Sequence, residues 1–209
     1  PVGGIGFVTE SMLRGDYGAV PESLHEPLHL IRQSVEGVTP LLSSQLESLA
    51  PDASPDSRQS AVETDVVAEL DLVARQLEPR ARDKGLKMEL SCEDMPPQAP
   101  LDPALLRHVA FNLLDNAIKY TDQGMILVRV SRYPKGLILS VTDSGIGLDP
   151  EDRARLFQPF TRLSSVPGGS GMGLYLIKRL LDQAGGVIEV KSGGRGRGAT
   201  FMVELPFIL

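Results

Sequence analysis

The stretch FNLLDNAIKYT, residues 111–121, constrains the fold of this chain more than any other. Wound as an α-helix at about 100° per residue, it gathers Asn112, Asn116 and Lys119 into one narrow stripe, with Asp115 and His108 at its edge. Almost every other position from Leu106 to Tyr120 is apolar: Val109, Ala110, Phe111, Leu113, Leu114, Ala117 and Ile118. A solvated face would be broader and richer in Glu, Lys and Arg. Asn is a mediocre helix former, because its side chain competes for backbone hydrogen bonds. Two of them one turn apart, on a helix otherwise suited to burial, mark a stripe that faces something polar inside the fold.

The rest of the chain is able to supply that interior. Of 209 residues, 42% are hydrophobic and 23% charged, which suits one or two globular domains with a real core. A formal net charge of −6, with no basic aromatic-rich tract, argues against a general nucleic-acid partner. Cys92 is the single cysteine, which excludes an internal disulfide framework and a cysteine zinc site. No apolar run approaches the roughly 18 residues of a bilayer span. The opening PVGGIGFVTESML has no basic n-region and carries Glu10, unlike a signal peptide. Because it begins on Pro, the chain reads as part of a longer polypeptide cut at its N-terminus; the expected location is cytoplasmic, and a membrane would be met only through a missing upstream region.

Residues 1–50 and 63–209 follow different patterns. Leu24, Leu28, Ile31, Val35, Val38, Leu42, Gln45 and Leu49 recur in steps of four and three, the seam of a coiled coil or helical bundle. A shorter helix, roughly Gly4–Leu13, precedes it, with RGDYG as the turn. The expected unit is an α-helical hairpin whose seam favours pairing with a second copy. Pro40 interrupts the pattern. Residues 51–62, rich in Pro, Asp and Ser, read as a linker.

Beyond the linker, helix and strand patterns alternate. Val66–Leu77 reads as helix and LKMELS as strand. Pro103–Tyr120 is a helix whose preceding Asp102 is an N-cap. MILVRVSRY and GLILSVTD alternate as a strand pair around PKG. GLYLIKRLLDQAG is a helix, and GVIEVKS with ATFMVELP forms a last strand pair. The fold class is α+β: a two-layer sandwich with a mixed, mostly antiparallel sheet covered on one face by helices.

Three glycine clusters follow the Asn helix: DSGIG (Asp143–Gly147), GGSGMGL (Gly168–Leu174) and GGRGRGAT (Gly193–Thr200). Each alone could be a turn or a helix start. The second opens a helix, where backbone amides can approach an anion. It is neither a P-loop nor a Rossmann fingerprint, and the HRD and DFG tripeptides of protein kinases are absent.

Taken in order, the Asn-rich helix, Asp-x-Gly-x-Gly, LFQPF, Gly-x-Gly-x-Gly-Leu and Gly-Ala-Thr-Phe resemble the ATP-binding domain of sensor histidine kinases. That domain is a member of the gyrase, chaperone, kinase and mismatch-repair ATPase superfamily, and the likeness covers roughly Leu101–Leu209. The resemblance implies a pocket for ATP and Mg²⁺. Asn112 and Asn116 project into it, with Asn116 foremost as the Mg²⁺ ligand; an amide oxygen suits this hard cation. Lys119 meets phosphate charge and Tyr120 packs against the nucleotide. Asp143 accepts a hydrogen bond from the adenine amino group, which guanine lacks at that position. Gly145 and Gly147 let the backbone pass close to the base, and Thr200 adds a hydroxyl near it. Gly169, Gly171, Met172, Gly173 and Leu174 form the hinge of a lid, Leu148–Gly168. In that lid Arg162 reaches the phosphates, while Phe157 and Phe160 anchor it by packing. His108 is expected to support its neighbours at the site's edge or to be a satisfied structural residue, and Arg195 and Arg197 to sit in a solvated loop.

The resemblance also separates kinase from ATPase. Hydrolysing relatives carry a Glu one turn before the metal-binding Asn, able to act as a general base. Here that position is Asn112, and an amide is not basic at neutral pH. The implied activity is ATP-dependent protein-histidine kinase: transfer of the γ-phosphoryl to a His of a dimerising helix, for relay to an Asp of a response-regulator receiver domain. PVGGIGF looks like the continuation of the family's H-E-L-R-T-P box from its proline, which puts the acceptor His just upstream of Pro1. His25, followed too soon by Pro27, reads as a surface residue. The competing expectation is a non-catalytic, dimerising, nucleotide-sensing scaffold.

Overall fold

The structure is a computed structural model. It describes residues 63–93, 98–161 and 171–208, together with Met12, Leu13, Gly18, Val20, Pro21, Leu24 and Leu28. The hairpin seam beyond Leu28, Pro40, the linker, His25, Arg162 and Gly169 lie outside the described residues. The chain divides into two compact units, Gln59–Phe157 with Leu174–Leu209, and Pro1–Arg58 with Gln158–Gly173.

The first unit follows the order β1 (Glu63–Thr64), α1 (Val66–Asp83), β2 (Lys87–Glu93), β3 (Ala99–Pro100), α2 (Pro103–Tyr120), β4 (Met125–Tyr133), β5 (Gly136–Asp143), α3 (Pro150–Arg155), α4 (Gly173–Ala184), β6 (Val187–Lys191) and β7 (Ala199–Pro206). Five strands form one sheet in the order β2-β4-β5-β7-β6. β2 runs parallel to β4, and every other neighbour is antiparallel. The sheet is therefore mixed and mostly antiparallel.

Alternation along the strands builds the core. Ile126, Val128 and Val130 of β4, Leu137, Leu139 and Val141 of β5, and Phe201, Val203 and Leu205 of β7 are all buried. The register sets Val141 beside both Val128 and Phe201, and Leu139 beside both Val130 and Val203, so the buried side chains form continuous rows. α1 packs on α2 and β2, and α2 packs on β4 and β5. Each fully buried Leu or Ile contributes about 1.5–3 kcal/mol.

α1 outlasts its expected end at Leu77, running through Pro79 to Asp83. The buried stripe Val66, Leu70, Val73, Leu77, Ala81 keeps helical spacing across the proline, and Pro79 itself is exposed. Packing of Ala81 outweighs the hydrogen bond lost at Pro79. Two features escaped the sequence reading. β1 pairs with β3 in a separate two-stranded sheet. The stretch expected to begin the lid folds first as α3, whose N-cap Asp149 accepts from the Asp152 amide at 2.7 Å. Its signal was present: Leu148-Asp149-Pro150 repeats the Leu101-Asp102-Pro103 that starts α2.

In the second unit Met12, Leu13, Leu24 and Leu28 are helical. Gly171, at φ +68°, sits against the 160–161 backbone, where a Cβ would meet the Thr161 carbonyl oxygen at 2.6 Å. Phe160 does not anchor anything by packing: it is 74% exposed and holds φ at 61°. The buried residue of the LFQPF stretch is Leu156, in the first unit.

Candidate nucleotide-binding site

α2 starts where its sequence says it should. The Asp102 carboxylate accepts from the Ala104 and Leu105 amides at 2.8 and 3.2 Å, and Pro103 occupies the first turn. Leu106, Val109, Ala110, Leu113, Leu114, Ala117 and Ile118 are buried, whereas Asn112, Asn116, Lys119 and Tyr120 are only half-buried. The amide stripe is thus real and reaches the surface of the unit.

Asn112 Nδ2 donates to the His108 carbonyl at 3.1 Å, so its Oδ1 points outward from that bond. Among the described residues the Asn116 side chain makes no hydrogen bond. His108 is structural, as expected: Nδ1 donates to the Ala104 carbonyl at 3.0 Å, and a carbonyl can only accept. Asp115 forms an ion pair with Arg80 of α1. The Lys119 ammonium lies 5.0 Å from the centroid of the Tyr120 ring, a cation–π distance.

The C-terminus of α2 is held by a residue that the sequence reading passed over. Lys84, in the turn after α1, donates to the carbonyl oxygens of Ile118, Lys119 and Thr121 at 2.9, 3.0 and 3.2 Å. A cation here satisfies orphan carbonyls and complements the helix dipole. Nothing in the local pattern separates Lys84 from other lysines, because its partners are more than 30 residues away.

Asp143 ends β5 and is buried. Its Oδ1 accepts from the Gly145 amide at 2.8 Å and the Ala199 amide at 3.3 Å. Burial raises its pKa above the ordinary carboxylate value, and the two amides work in the opposite direction without cancelling it. Its Oδ2 accepts no hydrogen bond among the described residues.

The first and third glycine clusters are one structure. The Gly196 and Gly198 amides donate to the Ile146 and Gly145 carbonyls at 2.6 and 3.1 Å. Gly147 requires its residue type twice over: φ is +65°, and a Cβ would lie 2.1 Å from the Gly194 carbonyl oxygen. Ser192, also missed, knots the two loops. Its hydroxyl accepts from the Leu148 amide at 3.0 Å and donates to the Gly198 carbonyl at 2.6 Å.

Thr200 is the register partner of Thr142, and the two hydroxyls bond at 3.0 Å. Both line one cleft with Asp143, Ser192 and Ala199. One expectation is corrected: Arg195 is not merely solvated, because it pairs with Asp149 at 3.1 Å and with buried Asp152 at the start of α3. The Asp152 amide foremost, with help from the Arg195 guanidinium, holds the Asp149 carboxyl below its usual range against the opposing effect of desolvation. The described part of the second glycine cluster, Gly171, Met172 and Gly173, leads into Leu174 in the first turn of α4.

Residues 101–209 match the family described as histidine kinase-, DNA gyrase B- and HSP90-like ATPases. This chain belongs to that family. The chain is 33% identical to the sensor histidine kinase AruS of Pseudomonas aeruginosa, over 100% of this chain and 21% of that protein. It is 32% identical to the adaptive-response sensory kinase SasA of a Synechococcus species, over 99% of this chain and 55% of that protein. The chain thus spans about a fifth to a half of these curated relatives. Among solved structures, full-length ShkA in complex with AMPPNP superposes with a TM-score of 0.68 at 28% identity, covering 98% of this chain and 43% of that one. The α+β sandwich and the family's ATP-binding core are accordingly the identity of this region. No helix among the described residues is long and apolar enough to cross a membrane.

Such a domain implies a divalent cation beside its nucleotide. Among the described residues no cluster of three or more His, Cys, Asp or Glu could enclose a metal. What α2 offers instead is the Oδ1 of Asn112 and the unengaged amide of Asn116. A donor set this sparse fits Mg²⁺, which keeps waters and takes the rest of its oxygens from phosphates.

Proposed function

We propose that this chain is the Mg-ATP-binding catalytic region of a sensor histidine kinase and catalyses phosphoryl transfer to a histidine. The observation that carries this reading is the pairing of two oxygen-bearing amides on α2 with a buried carboxylate, Asp143, whose Oδ2 remains uncommitted. Asp143 selects adenine by accepting its amino group. Lys119 meets the phosphates, Tyr120 packs against the nucleotide, and Asn116, with Asn112, supplies Mg²⁺ with an amide oxygen. When bound, the cation neutralises charge on the phosphate oxygens.

The reaction breaks the bond between the γ-phosphorus and the oxygen it shares with the β-phosphate. A phosphorus–nitrogen bond forms on an imidazole, whose proton passes to solvent. Positioning and charge neutralisation supply most of such catalysis. An amide at 112 cannot take a proton from water, which supports transfer rather than hydrolysis. A response-regulator aspartate is the downstream acceptor, and the helical seam of residues 24–49 provides the dimer contact. The reading extends the hinge around Gly169 to Leu174, with Arg162, to a lid over the phosphates.

Titration calorimetry with a non-hydrolysable ATP analogue, with and without Mg²⁺, tests the reading. Magnesium-dependent binding that Asp143→Asn abolishes is the expected result. No binding at millimolar nucleotide would leave a dimerising scaffold in its place.

A further inference from the structure

β2 (Lys87–Glu93) is an edge strand. It pairs with β4 along all 7 of its residues without a bulge, and among the described residues no strand lies on its other side. An open row of backbone amides and carbonyls is a template for another strand, and proteins commonly guard one by shortening it, bulging it or placing Pro on it. β2 carries none of these guards. Beside it, between β2 and α1, lies a groove of about 490 Å³. Met88 and Leu90 of β2, with Ala74 and Ala81 of α1, give the groove an apolar lining, and Leu90 is left 36% exposed. The charges around it, Asp71, Arg75, Glu78 and Arg82, sum to zero. Such a lining suits a strand with an apolar face better than an ionic ligand.

The sequence of β2 is complementary to its own reverse. Antiparallel pairing about Leu90 sets Leu90 against Leu90, Met88 against Cys92, Glu89 against Ser91, and Lys87 against position 93, a glutamate. Apolar residues meet on the groove side, opposite charges meet at both ends, and no like charges oppose one another. Moving the axis by one residue in either direction opposes Glu89 to Glu89, or Glu89 to the glutamate at 93. Like charges directly opposite are destabilising, so the register centred on Leu90 is selected.

We propose that the β2 edge binds a second copy of this chain. Two β2 strands pair antiparallel about Leu90, join the two five-stranded sheets into one continuous sheet, and lay each copy's Met88 and Leu90 beside the other's groove. The contact is separate from the helical seam at residues 24–49 and does not rest on the nucleotide reading.

Register-specific cross-linking tests it in the full chain, with copper-phenanthroline and air as oxidant. In the pairing described, Cys92 of one copy lies four residues, about 13 Å, from Cys92 of the other, beyond disulfide reach. Wild type should therefore stay uncross-linked through this edge. Leu90→Cys in a Cys92→Ser background should form a disulfide dimer, and so should Met88→Cys with Cys92 retained. Leu72→Cys in the Cys92→Ser background is the collision control, since Leu72 is exposed on α1 and lies off β2. Both β2 variants should cross-link at least about tenfold faster than this control, because pairing raises the effective concentration of the two thiols. A Leu90→Cys rate no higher than the control overturns the proposal and leaves the groove to a strand from another protein. Cross-linking of Leu90→Cys without that of Met88→Cys, or of wild type as fast as either, overturns the antiparallel register.

Discussion

The Cα of Gly198 rests against the backbone carbonyl of Asp143: a Cβ at 198 would stand 2.0 Å from that oxygen. The third glycine cluster therefore shapes the base-recognition carboxylate without contributing a side chain. Gly198 also holds φ at +63°.

Replacing it separates steric from conformational demand. Gly198→Ala should destabilise by more than the ~1–2 kcal/mol that left-handed backbone costs an L-residue, and should weaken nucleotide binding by displacing Asp143. Gly185→Ala is the control, with φ +73° and nothing within 4 Å of the added Cβ. Its loss should stay at that backbone cost, about 1–2 kcal/mol. Equal urea midpoints for the two variants would mean the Asp143 contact is unimportant.

Asn116 should be functional and structurally idle. Its side chain makes no hydrogen bond among the described residues, so Asn116→Ala should shift stability by no more than about 0.5 kcal/mol. Calorimetry should nonetheless show that Mg²⁺ no longer strengthens nucleotide binding. A large fall in melting temperature would reassign Asn116 to the fold.

Asp143 makes stability and binding respond oppositely to pH. Its folded pKa is raised by burial, so the folded state favours the protonated form. The associated stabilisation is complete below the ordinary carboxylate value of 3.8 and is lost as pH rises through the elevated folded value. Asp143→Asn, which keeps an acceptor for the two amides, should match wild type in stability at low pH and exceed it at neutral pH. Nucleotide affinity of wild type should fall as pH drops through the same window. Denaturation curves and calorimetry across that range check both signs.

Lys84→Met removes donors to three carbonyls at the end of α2. About 1–2 kcal/mol of stability should go with them. Binding should weaken as well, because Lys119 and Tyr120 lie in that last turn. Chemical denaturation and calorimetry on one preparation would show both effects. Unchanged stability would mean that water replaces the ammonium without loss.

Much of this was legible in the chain. The spans Pro103–Tyr120, Met125–Tyr133, Gly136–Asp143 and Ala199–Pro206 follow from periodicity, from an Asp-Pro start and from turn residues between strands. The amide stripe reads directly as an anomaly on a buried helix. Phe160 and Arg195 do not read this way. An aromatic residue in a motif looks like core until its backbone is seen at φ 61°, and an arginine between glycines looks solvated until Asp149 and Asp152 arrive beside it.

What the sequence determined by itself is what depends on near neighbours: helix starts, strand alternation, and the order and type of the family's motif residues. What only the tertiary structure decided is which residues meet across long separations. Register turned Thr200 toward Thr142 and left Ala199 beside Asp143. Packing brought Lys84 to the end of α2 and Ser192 between two glycine loops. A side chain's hydrogen-bonding partners are set by where distant backbone comes to rest, and local pattern carries no record of that.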